Sequence, residues 1–438
     1  MRFRDRPWPE QLNAIDRVMR SVSDVTDPEE MVNVYWRGVR DIMPGDQYLA
    51  LSRRGVEPPE FLVTRSVRFS DHPNPWTQRE RLPRLSGGLL GEIAYADKPV
   101  IIEDLPARLK ADDPGYFFLH GYQALVALPQ YESGKGINIG IRLYFAEDGF
   151  DPSMVPMMHW QASLFGRGTQ SLVLRNQLQE ALAALDRELQ VVGEIQRSLL
   201  PASLPMMPGF EAAAHYQTSA RAGGDYYDFF PLGGNSWGVF IADVSGHGTP
   251  AAVLMAITHA IAHTRQGYLM PPSEVMTHLN THLSRSYTTA GSFVTAFYAA
   301  LDADTGRLTY ASAGHNPPRL CRGGRIIPLD ETASMPLGID GSESFGEAGL
   351  AMEPGDMLVL YTDGITESMA PPDVEGSREL FGEHRLDEVI LATRERGATP
   401  CVEAIRDAVE RFRVATPPTD DQTLIALKRI ERSGRGDT

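Results

Sequence analysis

Five acidic residues stand where apolar runs begin or end. Asp225 lies in AGGDYYDFF, just ahead of a strand-like run. Asp243 closes the hydrophobic run of VFIADVSGHG, where Gly246 and Gly248 open a loop. Asp363 follows the apolar stretch of MLVLYTDGITES, and Asp420 and Asp421 precede that of PPTDDQTLIAL. Carboxylates at the tips of packed strands are rigidly held, and several can converge on one spot. Converging carboxylates repel one another unless cations neutralise them. Ligation by oxygen alone, without Cys or a His-x-x-x-His pair, selects hard ions such as magnesium or manganese. Any one such Asp, taken singly, reads as a turn residue or helix cap. It is the joint occurrence within one stretch of the chain that raises the metal reading, and spacing alone leaves the two readings open.

The elements that must position these acids fall in the second half of the chain. Strand signals recur at Phe210–Tyr216, Tyr226–Phe230, Trp237–Val244, Phe293–Asp302, Arg307–Ala313, Arg319–Arg322, Met357–Thr362 and Thr423–Leu427. Turn chemistry such as Gly233-Gly234-Asn235 and Asp304-Thr305-Gly306 joins several of them. Thr249–Thr264, Pro272–Ser286, Arg385–Thr393 and Pro400–Arg413 carry helical patterns. Many antiparallel strands with a few inserted helices predict a layered sandwich. Alternation along AGGDYYDFF predicts that one of Tyr226 and Tyr227 faces the core and the other the site edge.

The N-terminal part reads differently. Helices are expected over Gln11–Met43, with Asp27 and Glu30 forming a capping box, and again over Met154–Phe165. Strand-like runs lie between, at Tyr48–Leu51, Glu60–Phe69, Val100–Ile102, Ala124–Pro129 and Gly136–Phe145. The whole is an α+β pattern. Between the two parts, Leu178, Leu182, Leu185, Leu189, Val192, Gln196 and Leu199 alternate spacings of four and three. That is a heptad seam, read as a two-chain coiled coil in preference to an amphipathic helix packed on its own domain, with Gln196 as a polar residue able to set its register. Pro201 and Pro205 stop it. The chain therefore divides into 11–170, a linker helix 171–200, a second domain 201–430, and a tail 431–438 expected to be disordered.

Composition excludes several classes. The 438 residues carry a formal net charge of −16, which repels nucleic acid and anionic membranes. Two cysteines, Cys321 and Cys401, make no disulfide framework and lack zinc spacing, so both are read as core residues. The start MRFRDRPWPEQ is not followed by an apolar signal segment, and no apolar run approaches transmembrane length. The expectation is a cytoplasmic protein.

AGGDYYDFF, IADVSGHGTPAA, SAGHNPP, EPGDMLVLYTDGITES and TDDQTLIAL occur in this order. Together they resemble the PPM-type metal-dependent serine/threonine phosphatases of the SpoIIE/RsbU branch. The resemblance implies an α/β/β/α sandwich with a centre for two Mn2+ or Mg2+ ions. Asp243 would bridge both ions, Asp225 and the Val244 carbonyl would hold the second, and Asp363 and Asp420 the first. Asp421 is the adjacent alternative to Asp420. The ions would activate water for in-line attack on phosphorus, so no Ser or Cys nucleophile is needed. Eukaryotic members carry a His two residues after the bridging Asp; here that position is Ser245, and His247, between two glycines, reads first as a loop-structuring residue and second as a candidate proton donor. His315 is read as loop architecture. No motif equivalent of the phosphate-gripping arginine of the eukaryotic members is found, and Arg221, two residues before Gly223, is the nearest substitute. Asp228, in the same motif, is a candidate for an extra metal or for orienting a ligand.

Residues 11–170, through GGLLGEIAYADKPVIIEDLP and ALVALPQYESGKGINIGIRLYF, resemble a GAF domain. That implies an unidentified small-molecule or protein input, with Trp36, Tyr48 and Phe61 as pocket or core residues. The combined resemblance implies a signalling phosphatase acting on a phosphorylated STAS-type anti-anti-sigma protein, and the heptad seam adds the expectation of a homodimer through the linker helix. The alternatives are a non-catalytic signalling scaffold with a vestigial metal site, and a metal-dependent nuclease or nucleotide cyclase. The latter is disfavoured by the acidity and by the lack of a phosphate-cradling Gly-Lys loop.

Overall fold

The computed structural model describes residues 6–39, 42, 47–132, 134–146, 150–264, 269–287, 291–372, 376–414 and 416–431. The tail expected to be disordered falls outside these beyond Glu431, as do Met43, Gly45 and Asp46 at the expected end of the first helical segment. The chain forms two compact units, Met1–Leu182 and Ala183–Thr438.

The first unit opens with helices α1 (Trp8–Ser23) and α2 (Pro28–Val39). Asp27 accepts a hydrogen bond from the Glu30 N–H at 2.8 Å, the cap half of the expected box. Strands β1 (Tyr48–Ser52), β2 (Glu60–Ser66) and β3 (Arg84–Ser86) precede α3 (Gly88–Ala94) and β4 (Val100–Ile102). Two short helices, α4 (Leu105–Arg108) and α5 (Tyr116–Leu119), lead to β5 (Ala124–Glu132), β6 (Lys135–Tyr144) and the long helix α6 (Val155–Arg197). The strands make one antiparallel sheet in the order β3-β2-β1-β6-β5-β4. The period-two pattern of β5 divides its side chains: Leu125 and Ala127 join a core with Leu90, Ile93 and Phe118, while Val126 and Leu128 face Ala14, Val18, Val39 and Met158. Sheet and helices thus bury both faces. The short edge strand β3 has too few residues to show a period in sequence.

The second unit holds the end of α6, then β7 (Phe210–Gln217), β8 (Tyr226–Gly233), β9 (Ser236–Val244), α7 (Thr249–His263) and α8 (Pro272–Ser286). There follow β10 (Val294–Asp302), β11 (Arg307–Ala313), β12 (Arg319–Arg322), β13 (Arg325–Pro328), β14 (Ala348–Ala351), β15 (Met357–Tyr361) and α9 (Asp363–Thr366). The unit closes with α10 (Gly382–Thr393), α11 (Ala398–Arg413) and β16 (Gln422–Arg429). Two five-stranded sheets result, β14-β11-β10-β9-β8 and β13-β12-β15-β16-β7.

Three apolar layers bind this unit together. Phe229, Val239, Ile241 and Phe297 meet Leu358, Leu360, Ile425 and Leu427 between the sheets. The outer face of the first sheet packs Phe240, Ala242 and Tyr298 on Leu254, Met255, Met276 and Leu279 of α7 and α8. The outer face of the second packs Val359, Leu424 and Ala426 on Leu386, Ile390, Ile405 and Val409 of α10 and α11. Each fully buried side chain of this size contributes about 1.5–3 kcal/mol. The arrangement is the expected four-layer sandwich. Cys321 and Cys401 lie in the last of these layers.

Covering both faces of the first sheet changes the reading of the two tyrosines. Tyr226 faces the helix layer and Tyr227 the inter-sheet core. Neither lies at a site edge, because β8 has no solvent face for alternation to expose.

Candidate metal centre

Antiparallel pairing brings the acids to one end of the sandwich. Tyr226 pairs with Ala242, so Asp225 at the start of β8 sits beside Asp243 near the end of β9. Tyr361 pairs with Leu424, so Asp363 after β15 and Asp420 before β16 share the corresponding end of the other sheet. Asp225 joins the sheets directly. Its Oδ2 accepts from the hydroxyls of Thr362 at 2.8 Å and Thr423 at 2.6 Å.

Asp225 is buried, while Asp243, Asp363 and Asp420 are half-buried. Among the described residues no Arg or Lys forms an ion pair with any of them. Their acidities respond accordingly. Burial, then the charges of Asp243 and Asp421, holds the Asp225 carboxyl well above its ordinary range. Burial, then Asp363, Asp420 and Asp421, pushes Asp243 up to about 8. Asp363 rises to about 6 through burial, then Asp420 and Glu367. Asp420 is raised by burial, against the opposing hydrogen bond from the Asp421 N–H; the Asp421 charge adds to the rise and His247 opposes it. Acids that resist ionising for want of a cation are a donor set fitted to divalent metal.

Asp421 is engaged elsewhere. It accepts from the Ser219 N–H at 2.7 Å and the Gly224 N–H at 2.6 Å, bracing the segment that leads into Asp225. Close packing here requires glycine: a Cβ on Gly364 would lie 1.9 Å from the Asp421 carbonyl oxygen, and one on Gly224 would lie 2.7 Å from that of Val244. The Val244 carbonyl therefore sits against the residue that precedes Asp225.

The surrounding candidates separate. Ser245 accepts from the Phe293 N–H through its hydroxyl at 2.9 Å. His247 is exposed, within electrostatic reach of Asp420. Buried His315 contacts the Thr295 hydroxyl at 2.9 Å, and burial lowers its pKa to about 4. It is a neutral brace beside β10. Arg221 does not face the acids. Its guanidinium makes two hydrogen bonds with Asp186 of α6, at 2.8 and 2.9 Å.

Gln196 is also placed differently from the seam reading. It is buried, its Oε1 accepts from the Gly223 N–H at 2.9 Å, and its amide donates to the Gly223 carbonyl. A backbone segment that must pass a helix needs its polar groups satisfied, and the glutamine does this. The heptad stripe divides at that point: Leu178, Leu182 and Leu185 are exposed, whereas Leu189, Val192 and Leu199 are half-buried.

In the first unit, Trp36 lines a cavity together with Tyr35, Arg142, Arg79, Gln161 and Phe165. Tyr48 stacks on Trp36 at a 5.1 Å ring separation, and Phe61 is wholly within the core on the other face of the sheet.

One group was missed in sequence. His259 and His263 make a His-x-x-x-His pair on α7, and with Asp228 their ligand atoms all lie within 4.8 Å of one another. No other such group of three occurs among the described residues. The four strand-end acids are more widely spread. The spacing of the two histidines was the available signal.

Removing one hydroxyl from Asp225 should weaken metal binding. Thr423 donates to the charged carboxylate, so Thr423→Val leaves Asp225 still harder to ionise and lets protons compete better with metal. The Mn2+ concentration for half-maximal activity should rise about tenfold. An unchanged Mn2+ dependence would count against a ligand role for Asp225.

Residues 233–430 match the family described as Stage II sporulation protein E (SpoIIE). The C-terminal domain is a SpoIIE-type, PP2C-like phosphatase domain. Asp225 lies ahead of the matched segment, and its place in the centre rests on Thr362 and Thr423. Curated relatives are similar over more than half of this chain. Protein IcfG of Synechocystis sp. is 25% identical over 294 residues, 60% of this chain and 45% of its own length. Phosphoserine phosphatase RsbU of Bacillus subtilis is 29% identical over 249 residues, 55% of this chain and 70% of its own. The chain thus spans under half of one of these relatives. The SiaA-PP2C domain of Pseudomonas aeruginosa shares the fold, with TM-score 0.50 and 18% identity over 57% of this chain and 99% of that one. Among the described residues no helix is long and apolar enough to cross a membrane.

Proposed function

We propose that the chain is a metal-dependent protein serine/threonine phosphatase of bacterial signal transduction. The observation that carries this reading is the meeting of Asp225, Asp243, Asp363 and Asp420 from two sheets with no Arg or Lys paired to them among the described residues. Asp243 and Asp225 with the Val244 carbonyl, and Asp363 with Asp420, would hold two Mn2+ or Mg2+ ions. When bound, the ions supply Lewis-acid activation of water and charge to stabilise the phosphoryl oxygens. The chain's own residues orient the ligands: Thr362 and Thr423 aim Asp225, and Asp421 fixes the segment before it. A scaffold with a vestigial site would have no use for four acids gathered where burial opposes their ionisation. The test is Mn2+-dependent release of phosphate from a phosphoserine protein by the full chain; no release with Mn2+ or Mg2+ would end the reading.

His247 is the group suited to protonate the departing seryl oxygen. It is solvent-accessible and close to Asp420. His247→Ala should lower kcat on a phosphoserine protein about a hundredfold. Hydrolysis of p-nitrophenyl phosphate, whose leaving group needs no proton, should change little. Equal losses on both substrates would assign His247 to loop structure instead.

The substrate we propose is a phosphorylated STAS-type anti-anti-sigma protein, by analogy with relatives such as RsbU. Residues 11–170 would act as a GAF-like input domain, which the β3-β2-β1-β6-β5-β4 sheet order supports. The cavity beside Trp36 suits a small-molecule input: Arg142 lies 5.3 Å from the Trp36 ring centroid, is lowered in pKa by burial, and has no carboxylate partner among the described residues. Exposed Leu178, Leu182 and Leu185 support dimerisation through α6. Contacts of Asp186, Gly193 and Gln196 with residues 221–223 support α6 as the route by which the input reaches Asp225.

A further inference from the structure

We propose that Asp228, His259 and His263 form a separate site for a divalent transition ion of the zinc class, tying the end of α7 to β8. The site does not depend on the phosphatase reading.

The geometry follows from periodicity. His259 and His263 are four residues apart, so both imidazoles leave the same face of α7. Their ring centroids are 4.0 Å apart. Asp228 is on the helix-facing side of β8 with Tyr226, directly opposite that face. His263 Nε2 lies 2.7 Å from Asp228 Oδ2, and His259 Nδ1 lies 4.0 Å from the same oxygen. The carboxylate is oriented from behind. The Tyr226 hydroxyl donates to Oδ2 at 2.6 Å and the Phe229 N–H to Oδ1 at 2.7 Å. Metal sites commonly hold their ligands through such supporting bonds.

A hydrogen-bonded Asp–His pair would account for His263 alone. His259 is tied to the same carboxylate through the Tyr226 hydroxyl, 3.0 Å from its Nδ1, while its ring packs on that of His263, so both imidazoles gather at Asp228. Two imidazoles in contact disfavour double protonation. Burial, then His263, holds His259 below the usual histidine range, which keeps it in the neutral form that binds metal. The Asp228 side chain is 9% exposed, against 19% for His259 and 32% for His263, so the mouth of the site opens on the histidine side. Two imidazoles and one carboxylate, with further positions left to water, suit Zn2+, Co2+ or Fe2+ better than Mg2+. The strand-end centre is an all-oxygen set by contrast. Metal here would fasten the helix that begins directly after the loop carrying His247.

Cobalt titration of the full chain tests this, with excess Mg2+ present to occupy the oxygen site. One equivalent of Co2+ should bind with visible absorption bands of a mixed nitrogen and oxygen environment, and should raise the Tm. His263→Gln, partly exposed and mild for folding, and His259→Ala should each weaken Co2+ binding about 10–100-fold, with circular dichroism and metal-free Tm confirming an intact fold. The neighbouring pair His278 and His282, with rings 4.5 Å apart, serves as control. The double variant His278→Gln, His282→Gln should keep the bands. Absence of the bands in wild type, their survival in the His259 and His263 variants, or their loss in the control would each overturn the proposal.

Discussion

Asp243→Asn is expected to lower metal-dependent phosphate release at least about a thousandfold and, at the same time, to stabilise the metal-free protein. The two effects have one cause. Asp243 is pushed up to about 8 and Asp363 to about 6, burial being the first cause for both. An unfolded Asp ionises near pH 4. Below that, both states are protonated and there is no penalty. As pH rises, the unfolded chain ionises freely while the folded chain holds its protons until about 6 and about 8. The unfolded state is therefore favoured progressively across this window, and metal-free stability falls from about pH 4 to about pH 8. Asparagine removes the Asp243 share, on the order of a few kcal/mol, which is several degrees in Tm for a domain of this size. Thermal melts in EDTA at pH 5 and pH 8 read it directly. Mn2+ should restore wild-type stability most strongly at pH 8 and restore the variant much less. A metal-free wild-type Tm that is flat across this range would show that the acids are not held against their ionisation. Mn2+-dependent activity surviving in Asp243→Asn would remove Asp243 from the centre.

The second large effect is expected at Gln196→Leu. The leucine would leave the buried Gly223 N–H and carbonyl without partners, at about 1–3 kcal/mol each. The loss also reaches the site, since Gly223 is two residues ahead of Asp225. The same stretch is held twice more by α6. Asp186 engages the Arg221 guanidinium, and a Cβ on Gly193 would lie 2.0 Å from the Arg221 carbonyl oxygen. Asp186, Gly193 and Gln196 are spaced by seven and three, so they form one stripe of the helix. Gln196→Leu should therefore lower Tm by several degrees and reduce phosphate release even at saturating Mn2+. Assays of Tm and of kcat against Mn2+ check both parts. If neither moves, α6 does not control the segment carrying Asp225, and the proposed route from the input domain fails with it.

Much of this protein is determined by local pattern. Apolar runs closed by Gly, Pro and Asp set eight strands of the sandwich to within a few residues, because period and turn chemistry are short-range; the four-residue edge strands β13 and β14 are too short to show a period. The acids were legible for the same reason: each follows or precedes a run that can only be a buried strand. What local pattern could not supply was the set of partners. Whether Gln196 belonged to an intermolecular seam or to its own domain depended on a backbone 27 residues away that needed a donor and an acceptor. Arg221 was free to reach a phosphate until Asp186 claimed it. Tyr226 and Tyr227 both became core because the second sheet and the helices cover β8 together. Asp228, His259 and His263 lie on two elements, and only the packing of α7 on the first sheet turns a helical histidine pair into a three-sided site. Hydrophobic period is written along the chain; the satisfaction of buried polar groups is a property of the assembled fold.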